Sequence, residues 1–477
     1  NCYVYAAVTI SNENDGQKYA AAGDKVTLDG PVYCLTGDGY AFVGENVAFK
    51  TEEQFKSGHV AALLGTAFGQ EIGVDQHPVL SNGSNQVFEV NGEYKNASPD
   101  VAVSLIDAIG TVGIDGSENC FALVTLARQC YDILSEADRQ NVNNYNTLTA
   151  AEESYNTVVT KLIGDIDAIG EVTLDSKDAI DSARAGFNAY TERGGDKSKI
   201  TNYDVLTAAE DKYELCVIDA AEQKVEDTIE VEEVSGENYY ILTNYEQLDW
   251  FAKLVNGELA LKPQNAAANA MLGADIVLNE NLLESILNGD GSLTDDNEKL
   301  GSLTQIRQIA NFAGVFNGDG HKISGLYYNS TGDVSLFSGN MTGTIKNLTI
   351  QDAYLYGQVS ASGITYNVSG NIDRCGFEGV LASEYYVGGI AHYINGQDAV
   401  VSNCYSISTK KVSGSDSQNY RIGGIAYNII SGTVENCYAG GEIINGYFVG
   451  GVSSMGNGNI KNCYSEYEEF LEFVGHD

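Results

Sequence analysis

Basic residues are scarce in this sequence: 26 Lys and Arg stand against 66 Asp and Glu, a net charge of −40 over 477 residues. Such a chain repels nucleic-acid phosphates and anionic bilayer surfaces, so neither is expected as a partner. Long apolar runs are lacking too. The longest, His59 to Phe68, is broken by Gly65 and Thr66 and falls well short of the ~18 residues a membrane-spanning helix needs. The five histidines (His59, His77, His321, His392 and His476) are scattered, with no partner at metal-ligand or triad spacing. Nine cysteines form no CxxC pair, and no His column accompanies them, which argues against a metal site. GxSxG, P-loop, GxGxxG and His-Glu-x-x-His patterns are all missing, so common hydrolase, nucleotide-binding and zincin chemistries have no foothold. Proline is scarce (4) beside 53 glycines, a balance expected when many tight corners need a positive φ. The sequence shows no initiator Met or signal peptide and begins inside a repeat motif, at Asn1-Cys2-Tyr3. It therefore reads as a piece of a longer polypeptide.

What is present is repetition. Val387-Gly-Gly-Ile390, Ile422-Gly-Gly-Ile425 and Val449-Gly-Gly-Val452 are each followed by a second motif. These are Val401-Ser-Asn-Cys404-Tyr405, Val434-Glu-Asn-Cys437-Tyr438 and Ile460-Lys-Asn-Cys463-Tyr464. Two degenerate units precede them, and the steps from Leu348 through Cys375, Cys404 and Cys437 to Cys463 are 27, 29, 33 and 26 residues. Two short β-patterned segments per unit at this period predict a parallel β-solenoid.

In chain order, residues 1–50 read as the tail of a preceding β-solenoid, with Pro31-Val-Tyr33-Cys34 as a second echo of the motif. Residues 51–98 form a small capping α/β module. Residues 99–158 and 159–229 are two copies of a three-helix bundle: Leu105 to Gly110 recurs at Asp165 to Gly170, and Asn144 to Glu152 recurs at Asn202 to Glu210. Tyr155 to Ile169 contains no proline, which suggests one continuous helix shared by both copies. Tyr145 and Tyr203 read as packing residues. Residues 230–477 are a β-solenoid with an N-terminal helical cap, opened by a capping box from Thr243 to Glu246. The expected fold class is α/β by segregated domains, with parallel β-solenoid modules flanking a pair of three-helix bundles.

Within the solenoid, Asn347, Asn403, Asn436 and Asn462 fit left-handed corners bonded coil to coil in a ladder, with Arg374 as the exception. Cys375, Cys404, Cys437 and Cys463 form a column read as buried free thiols; disulfides between coils are the alternative. Tyr405, Tyr438 and Tyr464 point to the opposite face by strand alternation. They make an aromatic column that is either an ordinary β-surface ladder or a platform for sugar rings. The stretch Asn288 to Asp296 looks like a calcium loop but lacks the first acidic position, where Ile286 stands. A solvated acidic loop is the plainer reading, a loosely held Ca²⁺ the other. No other cofactor is expected.

These repeats, with the stretch Phe316-Asn-Gly-Asp-Gly320-His-Lys-Ile-Ser-Gly-Leu326, resemble the GLUG-repeat proteins, bacterial surface proteins with Gly-Gly-Leu-x-Gly and Ile-x-Asn-Cys-Tyr motifs. The likeness covers residues 239–465 well and 1–50 in part. It departs at the motif's last Gly, where His392, Tyr427 and Ser454 stand. The helical pair at 99–225 looks like FIVAR-type three-helix repeats. Together they imply a large extracellular, cell-wall-attached or secreted protein of a Gram-positive gut bacterium. Some relatives carry such repeats ahead of a metalloprotease that cuts immunoglobulin A; without His-Glu-x-x-His, that activity is not carried over to this chain.

The expected function is a non-enzymatic stalk or adhesin scaffold. Its alternatives are glycan or host-protein binding through an aromatic solenoid face and, third, a carbohydrate-active β-helix enzyme with paired carboxylates. Motif matches near both termini also raise head-to-tail self-association through solenoid ends, beside the simpler expectation of further sequence on each side.

Overall fold

The computed structural model describes residues 2–4, 31–35, 46–413 and 420–467. They divide into two compact units, Asn1–Tyr213 and Glu214–Asp477, the division falling inside the helix Tyr203–Glu226.

In the first unit the strands Cys2–Val4, Val32–Leu35 and Val47–Lys50 pair in parallel. Asn1 and the side chains of Cys2 and Tyr3 lie outside the described residues. The backbone register sets Tyr3 beside Tyr33 but Cys34 beside Val4, so the second echo of the motif is two residues out of step in its cysteine. The change of texture at Thr51 is a helix start. Thr51 Oγ1 accepts from the Gln54 amide at 3.2 Å and Gln54 Oε1 accepts from the Thr51 amide at 2.8 Å, a reciprocal cap. Phe55, Val60 and Leu64 from these first helices bury against Tyr33.

The bundle helices run Pro99–Ala108, Cys120–Ile133, Tyr145–Asp167, Lys177–Glu192 and Tyr203–Glu226. The 23-residue helix Tyr145–Asp167 serves as the last helix of one bundle and the first of the next. Each repeated motif makes the same contact twice. Arg128 donates to Glu152 through Nε at 2.5 Å and Nη2 at 2.6 Å, as Arg184 does to Glu210 at 2.7 and 2.6 Å. Asn144 Nδ2 donates to the Val103 carbonyl and Asp107; Asn202 Nδ2 donates to the Ile163 carbonyl and Asp167. Tyr145 packs on Tyr131 (4.5 Å) and Tyr203 on Phe187 (4.4 Å), so both tyrosines are packing residues at the turn.

The second unit contains a stack of about eight parallel turns. One coil shows the plan: strand Tyr386–Gly388, a Gly-Gly bend, strand Ala391–Ile394, strand Val400–Ser402, the Asn403 corner, then strand Tyr405–Val412. Each strand pairs in register with its counterparts in the coils before and after. Four parallel sheets thus enclose a lumen filled by Val, Ile, Leu, Phe and Cys side chains.

The first coil is closed by the helix Tyr245–Asn256, whose Leu248, Trp250, Phe251, Leu254 and Val255 are buried. Phe251 meets Phe312 and Phe316 of the coils at 6.3 and 6.1 Å. An uncovered coil end would leave such rings and strand edges to water. The cap differs from the expected Thr243–Glu246 box by one residue. Asn244 is the N-cap, accepting from Gln247 N at 3.0 Å, and Gln247 Oε1 takes the Thr243 amide and hydroxyl. Asn outranks Thr at this position, and Gln can reach back as Glu would. Gly257 ends the helix in the left-handed region, at φ 75°.

Candidate functional site

The Asn corners have the expected conformation: φ is 54° at Asn347, 55° at Asn403, 54° at Asn436 and 50° at Asn462, and Arg374 adopts 53° in the same column. The continuous side-chain ladder does not form. Asn462 Nδ2 donates to Asn436 at 3.4 Å, but Asn403 donates to Asp373 at 2.7 Å and Asn347 to Asn317 at 2.9 Å. Arg374 cannot offer the carbonyl oxygen an amide would, so its neighbour Asp373 takes over. The thiols behave as a stacked apolar column. Cys375, Cys404 and Cys437 are buried and Cys463 is half-buried, and all are free. Each sulfur donates to the carbonyl two residues back, at 3.0–3.4 Å. Burial holds the Cys404 thiol well above its ordinary pKa, so it stays protonated and unreactive.

Opposite the thiols, Tyr438 and Tyr464 stack at 5.7 Å and 14°. The column breaks at Tyr405. Its ring lies over Gly376, where a Cβ would meet ring carbons at 2.4 Å, and its hydroxyl donates to Glu378 at 2.7 Å. This explains why the degenerate coil has Gly after Cys375: the next coil's tyrosine occupies that space. Burial, then the Glu378 carboxylate, raise the Tyr405 pKa. Beside Tyr438 a groove of about 990 Å³ is lined by Leu283, Leu287, Val380, Ile407, Thr409, Glu442 and Glu466. Two of the three carboxylates in the Asn288–Asp296 stretch are used locally. Asp290 accepts from Ser292 N and Oγ at 2.9 and 2.6 Å, and Asp296 caps the following helix through Lys299 N. Among the described residues no group of three His, Cys, Asp or Glu is placed to hold a metal ion, and no helix is long and apolar enough to cross a membrane.

Two features escaped the motifs. One is the geometry of the Gly-Gly bend. A Cβ on the first glycine would meet a backbone carbonyl three residues on: Gly388 at 1.9 Å, Gly423 and Gly450 at 1.7 Å. A Cβ on the second would strike the strand across the lumen, as Gly389 would Ser406 and Gly424 would Ala439. The chain therefore turns sharply between the two strands that flank the bend. On one side of the bend Asp333, Ser360, Tyr386, Arg421 and Phe448 align in register. On the other stand Tyr366, His392, Tyr427 and Ser454, each one residue past the aligned Thr365, Ala391, Ala426 and Ser453. Their rings cluster: Tyr386 stacks on Tyr427 at 4.7 Å, and His392 stacks on Tyr366 at 4.9 Å and lies tilted against Tyr427 at 4.6 Å. His392 is 1% exposed, its Nδ1 has no hydrogen-bond partner, and burial lowers its pKa to about 3, keeping the imidazole neutral. The signal was present in the sequence, as the replacement of the motif's last Gly by His, Tyr and Ser.

The other is a lysine inside the lumen. Lys410 is fully buried and donates to Ser408 Oγ at 2.8 Å, the Ser408 carbonyl at 3.4 Å and the Gly440 carbonyl at 3.3 Å. Leu381 and Ile443 flank it in the adjacent coils. Desolvation lowers its pKa to about 7.

No family model matches the chain, and no curated protein matches it. Among solved structures, it is similar to a crystal structure of a candidate immunoglobulin A1 protease from Bacteroides ovatus, at 23% identity and a TM-score of 0.37. The likeness covers 48% of this chain and 66% of that one, so the chain spans less than two thirds of that protein's length.

Proposed function

We propose that this chain is a non-enzymatic segment of an extracellular, cell-wall-attached or secreted protein, an adhesin-type scaffold of the GLUG and FIVAR kind. The observation that carries this reading is the use made of the repeated residues. Asn turns the corner, Cys fills the lumen, Gly-Gly makes the bend, and the Arg–Glu and Asn pairs lock each bundle. Repetition here is spent on building nearest-neighbour stacks, as expected of spacers and presenting surfaces. A second reading, binding of a glycan or host protein on a solenoid face, is supported by the Tyr438–Tyr464 stack beside its groove.

Two measurements test the proposal. Antibodies against the chain should label intact cells of the source bacterium, and surface protease should remove the label; labelling only after permeabilisation overturns the location. Incubated with host and plant oligosaccharides, the intact chain should release no new reducing ends. Release abolished by Glu442→Gln would instead establish the carbohydrate-active alternative.

A further inference from the structure

We infer that the groove beside Tyr438 is a docking site for a peptide segment of a partner protein, one that sets Lys or Arg beside aliphatic side chains. The inference deepens the second reading above, on which it rests, by choosing protein over glycan.

The solenoid itself shows what this outer face takes. Tyr327, Tyr354, Val380 and Thr409 follow one another in register along it, one from each coil. The short helix Leu282–Ile286 covers the start of that column, burying Leu282 and Ile286 against Tyr327 and Tyr354. Val380 is only partly buried at the margin of the same cluster. From there the face continues as the groove, lined on the helix side by Leu283 and Leu287 and on the sheet by Gly379, Val380, Ile407 and Thr409. Ile407 is 47% exposed. A concave apolar continuation of a surface that the chain elsewhere covers with a leucine-bearing helix suits a second segment of the same kind. From the coil of Val380 to that of Glu466 is three strand steps, about 14 Å at ~4.8 Å per strand. That is the length of about nine helical residues at ~1.5 Å each.

Charge and lining decide the chemistry of the occupant. Glu442 stands one coil past Thr409, between the pairs Ile407–Gly440 and Lys410–Ile443. Glu466 follows the pair Ala439–Ser465, one coil further on. They are the two charged side chains that line the groove, and neither is in an ion pair among the described residues. The neighbouring charges are engaged elsewhere: Glu378 accepts from the Tyr405 hydroxyl, Lys411 is within electrostatic reach of Asp290, and Lys410 bonds inside the lumen. The apolar stretch therefore ends in negative charge of one sign, which a cation beside the aliphatic contacts complements. A pyranose would instead want rings to stack on. Tyr438 is the one ring in the lining, against the aliphatic Leu283, Leu287, Val380, Ile407 and Ile443.

The test has a peptide arm and a sugar arm. Random twelve-residue peptides displayed on phage and selected on the intact chain should enrich sequences that set Lys or Arg beside Leu, Ile or Val. In calorimetric titrations the enriched peptides should lose 10-fold or more in affinity on Ile407→Ser, with Ile407→Val retaining most of it as a folding control. Glu442→Gln combined with Glu466→Gln should weaken binding several-fold and flatten its dependence on salt. Tyr464→Ala, outside the lining, should change nothing. The inference is overturned if no peptide is enriched, if the enriched peptides carry no cation, or if they bind Ile407→Ser as tightly as the natural chain. In the sugar arm, neutral and carboxylated oligosaccharides are titrated in the same way. Sugar binding lost on Tyr464→Ala, without peptide binding, would overturn the inference and leave the second reading standing in its glycan form. Absence of both would overturn that reading as well.

Discussion

The helical bundles and the solenoid are both built by repetition, but they spend it differently. In the bundles a repeated residue meets a different residue of its own copy: Arg128 finds Glu152, and Arg184 finds Glu210. In the solenoid a repeated residue meets its own counterpart one coil away, as Val401 meets Val434. A fault in one Arg–Glu pair should therefore leave the other pair unaffected, whereas a fault in a coil should be felt by the coils on both sides.

The severest break in the solenoid is at its bend. Gly423→Ala would set a Cβ 1.7 Å from the Ala426 carbonyl oxygen, and backbone cannot yield that much without opening the coil. The expected cost is about 4 kcal/mol. Amide hydrogen exchange should show lost protection in the strands Tyr386–Gly388 and Phe448–Gly450 that pair with it. Protection unchanged in both neighbours would contradict the nearest-neighbour picture.

Next in size is a change that should strengthen the stack. Lys410 sits between Leu381 and Ile443, so Lys410→Leu continues an apolar column and should stabilise the unit by about 2 kcal/mol at pH 7. The sign with pH follows from the folded value of about 7 lying below the ordinary 10.5. Protons then favour the unfolded chain, and the native state loses stability as pH falls from 10.5 towards 7, with no further loss from this group below that. Urea midpoints read from Trp250, the only tryptophan and a buried residue of the solenoid cap, should rise from pH 7 to 9 in the natural chain. In the variant that rise should be absent.

Lys410 also marks where the sequence stopped being legible. Tyr405-Ser-Ile-Ser-Thr-Lys-Lys-Val412 offers no apolar face to choose, so nothing local says that Ser406, Ser408 and Lys410 point inward. The corners were readable because Asn is a residue that tolerates the left-handed region on its own. The Gly-Gly pair was readable as a period, but its reason depends on a carbonyl three residues on and on a strand across the lumen. The ring cluster at the bend was hardest, since uneven steps of 26 to 33 residues hide the alignment of Tyr386 with Arg421, and of His392 with Tyr427, until register is known. The Tyr column was over-read for the same reason: alternation gives the face, while the lean of Tyr405 over Gly376 is a matter between coils.

Paired substitutions sharpen the contrast further. Val401→Ala and Val434→Ala each remove buried methyls from facing positions; each should cost about 2 kcal/mol, with the double variant departing from additivity by about 1 kcal/mol because the two share one cavity. Arg128→Met and Arg184→Met should cost about 1 kcal/mol each, modest because both pairs are partly exposed. Their sum should be additive within about 0.5 kcal/mol by helical circular dichroism. Equal coupling in both pairs would erase the distinction.

The smallest effect carries the same substitution as the largest, with the opposite sign. Gly164 lies inside the helix Tyr145–Asp167 and has no atom within 4 Å of where a Cβ would stand. Its φ is not in the left-handed region, so no turn or close approach asks for glycine. Alanine there reduces the entropy of the unfolded chain and adds helix propensity without a clash, a gain of about 0.5–1 kcal/mol. Gly186 in the helix Lys177–Glu192 supplies the control: its Cβ would stand 2.9 Å from Leu162 Cδ2, the movable end of a side chain. Gly186→Ala should therefore gain less than Gly164→Ala or lose slightly, in thermal melts followed at helical wavelengths. A destabilising Gly164→Ala would mean that this shared helix depends on a bend at that point, and that the two bundles are coupled as the coils are.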